Sequence, residues 1–220
     1  MVSPMTKKLC LIRHADSVKN THEVFDDQNA RQDLTLRGQV ELSNLVVYLR
    51  ELTANVGASQ SQLYSANSER AEKTAQAIGT ALSLKPATIA NLGSMRSGPL
   101  SGLSETEAAL RFPEYMKTLK LYRSGLLSSD KILRPEGCET LNEFENRITT
   151  CFDEILSSEA RMVIVVGHRS PISAMCVSLA RRYLGYPDDF FGYIPIPTGS
   201  VTLFNFAERT FEYAGMQPGT

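Results

Sequence analysis

The chain has 220 residues, of which 42% are hydrophobic and 21% charged, with a formal net charge of −1 at neutral pH. That length predicts one large domain able to bury a sizeable core. The balanced charge excludes a general field for binding nucleic acid or a membrane surface, so any anion site must be local.

The first element is the apolar run Leu9-Cys10-Leu11-Ile12, bounded by charge, which reads as a buried strand of a parallel sheet. It ends at Arg13-His14. Ligands of open α/β sheets bind beyond the carboxyl ends of strands, so this pair stands where chemistry is done. A guanidinium fork beside an imidazole suits a phosphoryl group: Arg13 would hold its oxygens, and His14 would act as nucleophile or proton carrier. Residues 15–33 read as a polar loop, acidic at Asp26 and Asp27 and long enough to fold over a site. It carries His22, taken as a solvated residue.

Thr35 is a natural N-cap for a helix to about Thr53, with Val40, Leu42, Leu45, Val46 and Leu49 as its apolar stripe. A short strand is expected over 62–65. The next helix starts at Ser68 and buries Ala71, Ala75, Ile78 and Leu82. Arg70 lies in its first turn, where a cation opposes the macrodipole unless an anion is bound nearby. Another strand is expected over 86–91. Residues 92–136, rich in Gly and Pro, lack a second core pattern and read as a cap that limits substrate size. Arg96, Arg111, Arg123 and Arg134 are its candidates for meeting substrate.

A helix over about 140–158 follows, with Leu141, Phe144, Ile148, Phe152 and Ile155 at helical spacing. Arg161 then leads into a second β-branched apolar run that ends at Gly167-His168. The chain has three histidines, and two of them follow its two clearest buried strands. If those strands are neighbours, both imidazoles reach one pocket. A helix over 171–184 uses Pro171 in its first turn, and strands over 201–206 and 210–214 form a hairpin. Cys176 to Arg182 has the bare C-x5-R spacing of cysteine phosphatases, but its glycine-free interior reads as helix and not as a phosphate loop.

Cys10, Cys138, Cys151 and Cys176 lack zinc-type spacing, so reduced thiols of a cytoplasmic protein are expected. The first eight residues show no signal-peptide pattern, and no apolar run reaches the roughly 18 residues of a membrane span.

Arg13-His14-Ala15 with Ser17 and Asn20 resembles the R-H-G-x-[ST]-x-x-N signature of the histidine phosphatase superfamily, the phosphoglycerate-mutase-like proteins. The stretch from Ser65 through Arg70-Ala71 to Thr74-Ala75 is similar to that family's S-x-x-x-x-R-A-x-x-T-A segment. Leu34-Thr35-Leu36-Arg37-Gly38 is similar to its L-T-x-x-G, Gly137-Cys138-Glu139-Thr140 to its G-G-E-S, and Val165-Val166-Gly167-His168 to its late histidine strand. The matches run in the family's order from about Leu9 to Phe206.

The resemblance implies an α/β fold over 1–220: a three-layer α/β/α sandwich with a mostly parallel central sheet and a small cap insertion. It implies a metal-independent phosphomonoester hydrolase with no cofactor, acting on a small phosphorylated metabolite through a phosphohistidine at His14. Arg13, Arg70 and His168 would surround the phosphoryl oxygens, and Ser17, Asn20, Glu139 and Arg169 would bind substrate or shape the site. The partner is a small-molecule phosphate ester, with no nucleic acid and no membrane; a homodimer is the one assembly entertained. A phosphoglycerate-type mutase and a non-catalytic phospho-ligand binder on the same scaffold stay open as alternatives.

The chain departs from the family pattern in three places. Ala15 replaces a commoner glycine, Arg169 adds charge after His168, and Ser94 occupies the place of the usual acid glutamate. No carboxylate occurs from Leu84 to Leu103. Glu105 is the first candidate for the missing proton donor, because Ser104 and Glu107 form a capping box that occupies Glu107. Asp16 and Asp26 are the reserves.

Overall fold

The computed structural model describes residues 7–21, 24–25, 33–187 and 194–219. His22, Asp26 and Asp27 lie outside the described residues. Six strands form one sheet in the order β3-β2-β4-β1-β5-β6. The strands β1 (Lys8–Arg13), β2 (Ser61–Ala66), β3 (Ala87–Ile89) and β4 (Met162–Gly167) run parallel. β5 (Val201–Asn205) lies antiparallel to β1, and β6 (Thr210–Met216) completes the hairpin. The central strands are apolar throughout because helices cover both faces of the sheet. All six residues of β4 and the middle four of β1 are buried.

The helices are α1 (Val18–Thr21), α2 (Leu36–Thr53), α3 (Glu69–Leu82), α4 (Glu105–Arg111), α5 (Pro113–Arg123), α6 (Leu141–Leu156) and α7 (Arg169–Leu184). α2 packs with α3 and α6 with α7, which gives the outer layers of the sandwich; α4 and α5 pack on each other in the cap. Their starts are chemically marked. Thr35 accepts a hydrogen bond from the Gly38 amide, and Ser104–Glu107 and Thr140–Glu143 form reciprocal capping boxes.

Three local expectations shift. The loop after β1 contains the one-turn helix α1, closed by the Asn20 side chain on Ser17. Val40 is exposed, because the face α2 buries runs through Gly38, Leu45, Leu49 and Thr53 and is narrower than its apolar stripe. α7 starts at Arg169, two residues ahead of Pro171, so that the chain turns into helix immediately after His168. Among the described residues no helix is long and apolar enough to cross a membrane.

Candidate active site

The parallel pairing of β1 and β4 places Arg13 opposite Gly167, so the next residue on each strand, His14 and His168, emerges at the same sheet edge. The His14 amide donates to the Gly167 carbonyl at 3.0 Å. The two imidazole centroids are 5.1 Å apart. α3 begins just beyond the end of neighbouring β2 and supplies Arg70 from its first turn. Arg70 Nε donates to His14 Nε2 at 3.1 Å, and its Nη2 reaches His168 Nδ1 at 3.2 Å. One guanidinium therefore bridges both rings.

These bonds fix the tautomers. His14 Nδ1 lies 2.8 Å from the Ala15 carbonyl oxygen, which can only accept, so Nδ1 carries the proton and Nε2 presents a lone pair to Arg70. His168 Nδ1 accepts from Arg70, so Nε2–H donates to Ser68 Oγ at 3.0 Å. This explains why Ser68, the N-cap residue of α3, makes no side-chain capping bond: its hydroxyl is committed to the site. The backbone alongside is pinned as well. Thr74 Oγ1 accepts from the Ala15 amide and donates to the Arg70 carbonyl.

The field here is positive. His14 and His168 are nearly inaccessible. Burial, with Arg70 and Arg13 close by, holds the His14 pKa well below the usual histidine value. Burial, then His14 and Arg70, does the same to His168. Both imidazoles are thus neutral near pH 7. Arg13 is brought down to about 10, first by burial and then by Arg169 and Arg70. Its Nη1 donates to the Ile196 carbonyl at 2.6 Å, while its buried Nε has no partner among the described residues. A buried donor left unpaired costs free energy unless a ligand meets it. This constellation is built to receive an oxyanion.

A cavity of about 550 Å³ opens over this cluster. It is lined by Arg13, His14, Arg70, His168 and Arg169, by Lys19 and Asn20 of α1, and by cap residues including Tyr115, Tyr122 and Arg134. Asn20 reaches the lining with its Oδ1 occupied by the Ser17 amide and hydroxyl, which leaves its NH₂ to offer a ligand. Ser17 itself is fully buried outside the lining and serves to hold Asn20.

Glu139 shapes the site from outside its lining. It is buried away from the cavity lining in a two-pronged pair with Arg147, at 2.8 and 2.7 Å, and accepts the Arg96 amide. Arg147 in turn donates to the carbonyls of Asn91, Gly93 and Ser94. The pair is a clamp on the loop that carries Ser94, and substrate does not reach it.

Ser94 lines the cavity where a carboxylate was sought, and the described carboxylates in the lining are Glu105 and Glu145. Glu105 is paired with Arg123 at 2.6 Å. Asp16 is not in the lining; its Oδ2 accepts the Thr35 hydroxyl at the start of α2. The backbone of α2 also comes close to that of Asp16 because Gly38 has no side chain: a Cβ there would lie 2.0 Å from the Asp16 carbonyl oxygen. Asp26, the other reserve, lies outside the described residues. Glu145 was missed from the sequence because it sits beside Phe144 on what reads as the polar edge of α6. Burial raises its carboxyl pKa, against the pull of Arg181. Among the described residues no three His, Cys, Asp or Glu side chains converge as a metal-binding group.

Residues 9–217 match the histidine phosphatase superfamily (branch 1), and the chain belongs to that family. No curated protein matches it in sequence. Among solved structures it is similar to the alpha-ribazole phosphatase of Shigella flexneri, with a TM-score of 0.71 at 17% identity, covering 96% of this chain and 97% of that one. A mycobacterial glucosyl-3-phosphoglycerate phosphatase complexed with VO3 superposes with a TM-score of 0.71 at 18% identity, covering 97% and 100% of the two chains. Bacillus stearothermophilus YhfR gives 0.74 at 17% identity, covering 97% and 98%. At these identities the likeness is one of fold.

Proposed function

We propose that this member of the histidine phosphatase superfamily is a phosphomonoester hydrolase that works through a phosphohistidine on His14, with a small phosphorylated metabolite as substrate. The observation that carries the reading is the state of His14: a buried, neutral imidazole with its Nδ1 proton tied to the Ala15 carbonyl and its Nε2 lone pair toward Arg70. A nucleophile at phosphorus needs that lone pair, held in that direction.

The phosphoryl group docks on Arg13 and Arg70, with Arg13 Nε gaining the partner it lacks. His14 Nε2 attacks phosphorus in line as the ester P–O bond breaks, and Arg70 passes its donor from Nε2 to a phosphoryl oxygen. Arg13, Arg70 and His168 stabilise the spread charge of the transferring group, so these side chains take the part that a metal ion plays in other phosphotransferases. Water then attacks phosphorus, the P–N bond returns its electron pair to Nε2, and inorganic phosphate leaves. As substrate enters, the Glu105–Arg123 pair opens, so that the Glu105 carboxyl carries a proton to the departing alkoxide oxygen and regains one from the attacking water. The free thiols of Cys10, Cys138, Cys151 and Cys176 accord with a cytoplasmic setting.

The phosphatase names of the solved structures support hydrolysis over transfer. Rapid quench with labelled substrate is expected to give an acid-labile, base-stable label on His14, and His14→Ala to lower phosphate release by at least about 10⁴-fold. Label on a serine or cysteine, or activity retained in His14→Ala, overturns the mechanism. Supplied with a monophosphorylated glycerate and its bisphosphate primer, the protein is expected to release phosphate; equilibration of the isomers without release makes it a mutase.

A further inference from the structure

The cavity holds more positive charge than a phosphate monoester can use. Its described lining carries the cations Arg13, Lys19, Arg70, Arg123, Arg134 and Arg169 against Glu105 and Glu145. Arg13 and Arg70 answer the two charges of a phosphoryl group. Glu105 neutralises Arg123 at 2.6 Å, and Glu145 faces Arg181 across 3.9 Å. Arg134 and Arg169 have no carboxylate within ion-pair distance among the described residues. Lys19 acts on both histidines and Arg169 acts on Arg13, so those two belong to the phosphoryl end. Arg134 does not.

Arg134 stands in the cap wall among Tyr115, Tyr122 and Met95. Its described bonds go to neutral atoms only: Nε to Met95 Sδ at 3.3 Å and Nη1 to the Ser129 carbonyl at 3.2 Å. A thioether is a weak acceptor for a charged donor. Among the described residues no carboxylate lies within ion-pair distance of it, whereas its neighbours Arg123 and Arg147 each have one. Burial lowers its pKa, and the groups that oppose that fall are Tyr115, Tyr122 and Cys138, none of them a carboxylate. A half-buried guanidinium without a counter-ion is a standing cost that an incoming anion removes.

Resting on the hydrolase reading, the geometry points to a second anion subsite at Arg134, so that the substrate is a phosphomonoester whose far end carries another anionic group, a carboxylate or a second phosphoryl. A cavity of about 550 Å³ is far larger than one phosphoryl group and is in the range that holds a sizeable organic body. Tyr115, Tyr122, Leu119 and Ile132 line the space that such a body would cross.

The test uses binding, so that it does not depend on turnover. Alkyl phosphonates with bridges of three to eight carbons are prepared with a methyl, a carboxylate or a second phosphonate at the far end, and their affinities are measured by calorimetry. At one or more bridge lengths the wild-type protein is expected to bind a doubly anionic probe about 10- to 100-fold more tightly than its methyl-ended match, as one charge-assisted contact supplies. The better of the two anionic ends identifies carboxylate or phosphoryl. Arg134→Gln is expected to abolish that preference and Arg134→Lys to keep part of it. A merely structural Arg134 would weaken all three probes together and lower the melting temperature in step. No preference at any length in the wild type, or a preference undiminished in Arg134→Gln, overturns the subsite. A protein that shows the preference yet hydrolyses no phosphomonoester keeps the subsite and loses the hydrolase reading.

Discussion

At the phosphoryl end of the cavity, His14, Arg70 and His168 are each held by at least two contacts and come from the ends of packed elements: β1, β4 and the first turn of α3. At the cap end, α4 and α5 are short, α5 buries no residue completely, and the arginines sit on loops or half-exposed helix faces. The first region spends its polar groups on each other and on the backbone. The second leaves charge available to a ligand. Chemistry that must place a lone pair within a few tenths of an ångström belongs on the rigid end, and recognition that differs from one substrate to the next belongs on the other.

The largest expected effect breaks the rigid end. Arg70→Ala removes the donor on His14 Nε2, the partner of His168 Nδ1 and one charge on the transferring group at once. A fall in kcat of about 10³-fold on nitrophenyl phosphate is expected, near the upper range for loss of one preorganised donor. A fall of less than about tenfold would show that the bridge seen between the two histidines is not part of the transition state.

The next effect lies at the junction of the two regions. Glu105 belongs to the cap but is asked to serve the chemistry, and Arg123 already holds one of its oxygens. Glu105→Gln is expected to lower turnover of alkyl phosphates by about 10²-fold, toward the low end for general acid catalysis, and to spare nitrophenyl phosphate, whose phenolate leaves without a proton. Equal and small effects on both substrates would clear Glu105 and transfer the role to Glu145, the other described carboxylate in the lining. The same comparison repeated on Glu145→Gln decides between them.

The two regions also differ in how far the sequence reveals them. β1 and β4 are legible because strands covered on both faces must be apolar at nearly every position, and each is followed by a histidine where the apolar run stops. That they are neighbours is a property of the sheet order, which no local pattern encodes. Thr35, Ser104 and Thr140 are visible as helix starts because a capping hydroxyl acts within three residues. Ser68 looks like one of them, yet its hydroxyl is taken by His168, a hundred positions away. What Glu139 holds is hidden for the same reason. Its partner Arg147 is only eight residues on, but the carbonyls that Arg147 holds are more than fifty residues back. In the cap, Arg96, Arg111, Arg123 and Arg134 are alike in sequence. What separates Arg134 is the absence of a nearby carboxylate among the described residues, and only the fold shows it.

The smallest effect sharpens the rigid end through its pH dependence. His14 and His168 are neutral when folded because burial and the surrounding arginines depress their pKa values, whereas in the unfolded chain they titrate near about 6.5. Between the depressed values and about 6.5 the unfolded state binds more protons, so stability rises with pH there and is lost as pH falls below about 6.5. Each such histidine contributes at most about 1.4 kcal/mol per pH unit. Glu145, whose carboxyl pKa is raised by burial, works in the opposite sense, so the wild-type slope alone does not isolate the histidines. His168→Asn does, because asparagine keeps an acceptor for Arg70 and removes one titrating ring. Urea denaturation of the ligand-free protein at pH 6.5 and 5.5 is expected to show a loss of about 1–2 kcal/mol in the wild type and about 1 kcal/mol less in His168→Asn. Identical losses in the two proteins would mean that His168 is protonated in the folded state at pH 5.5. The positive field that holds His14 neutral would then be weaker than its neighbours imply.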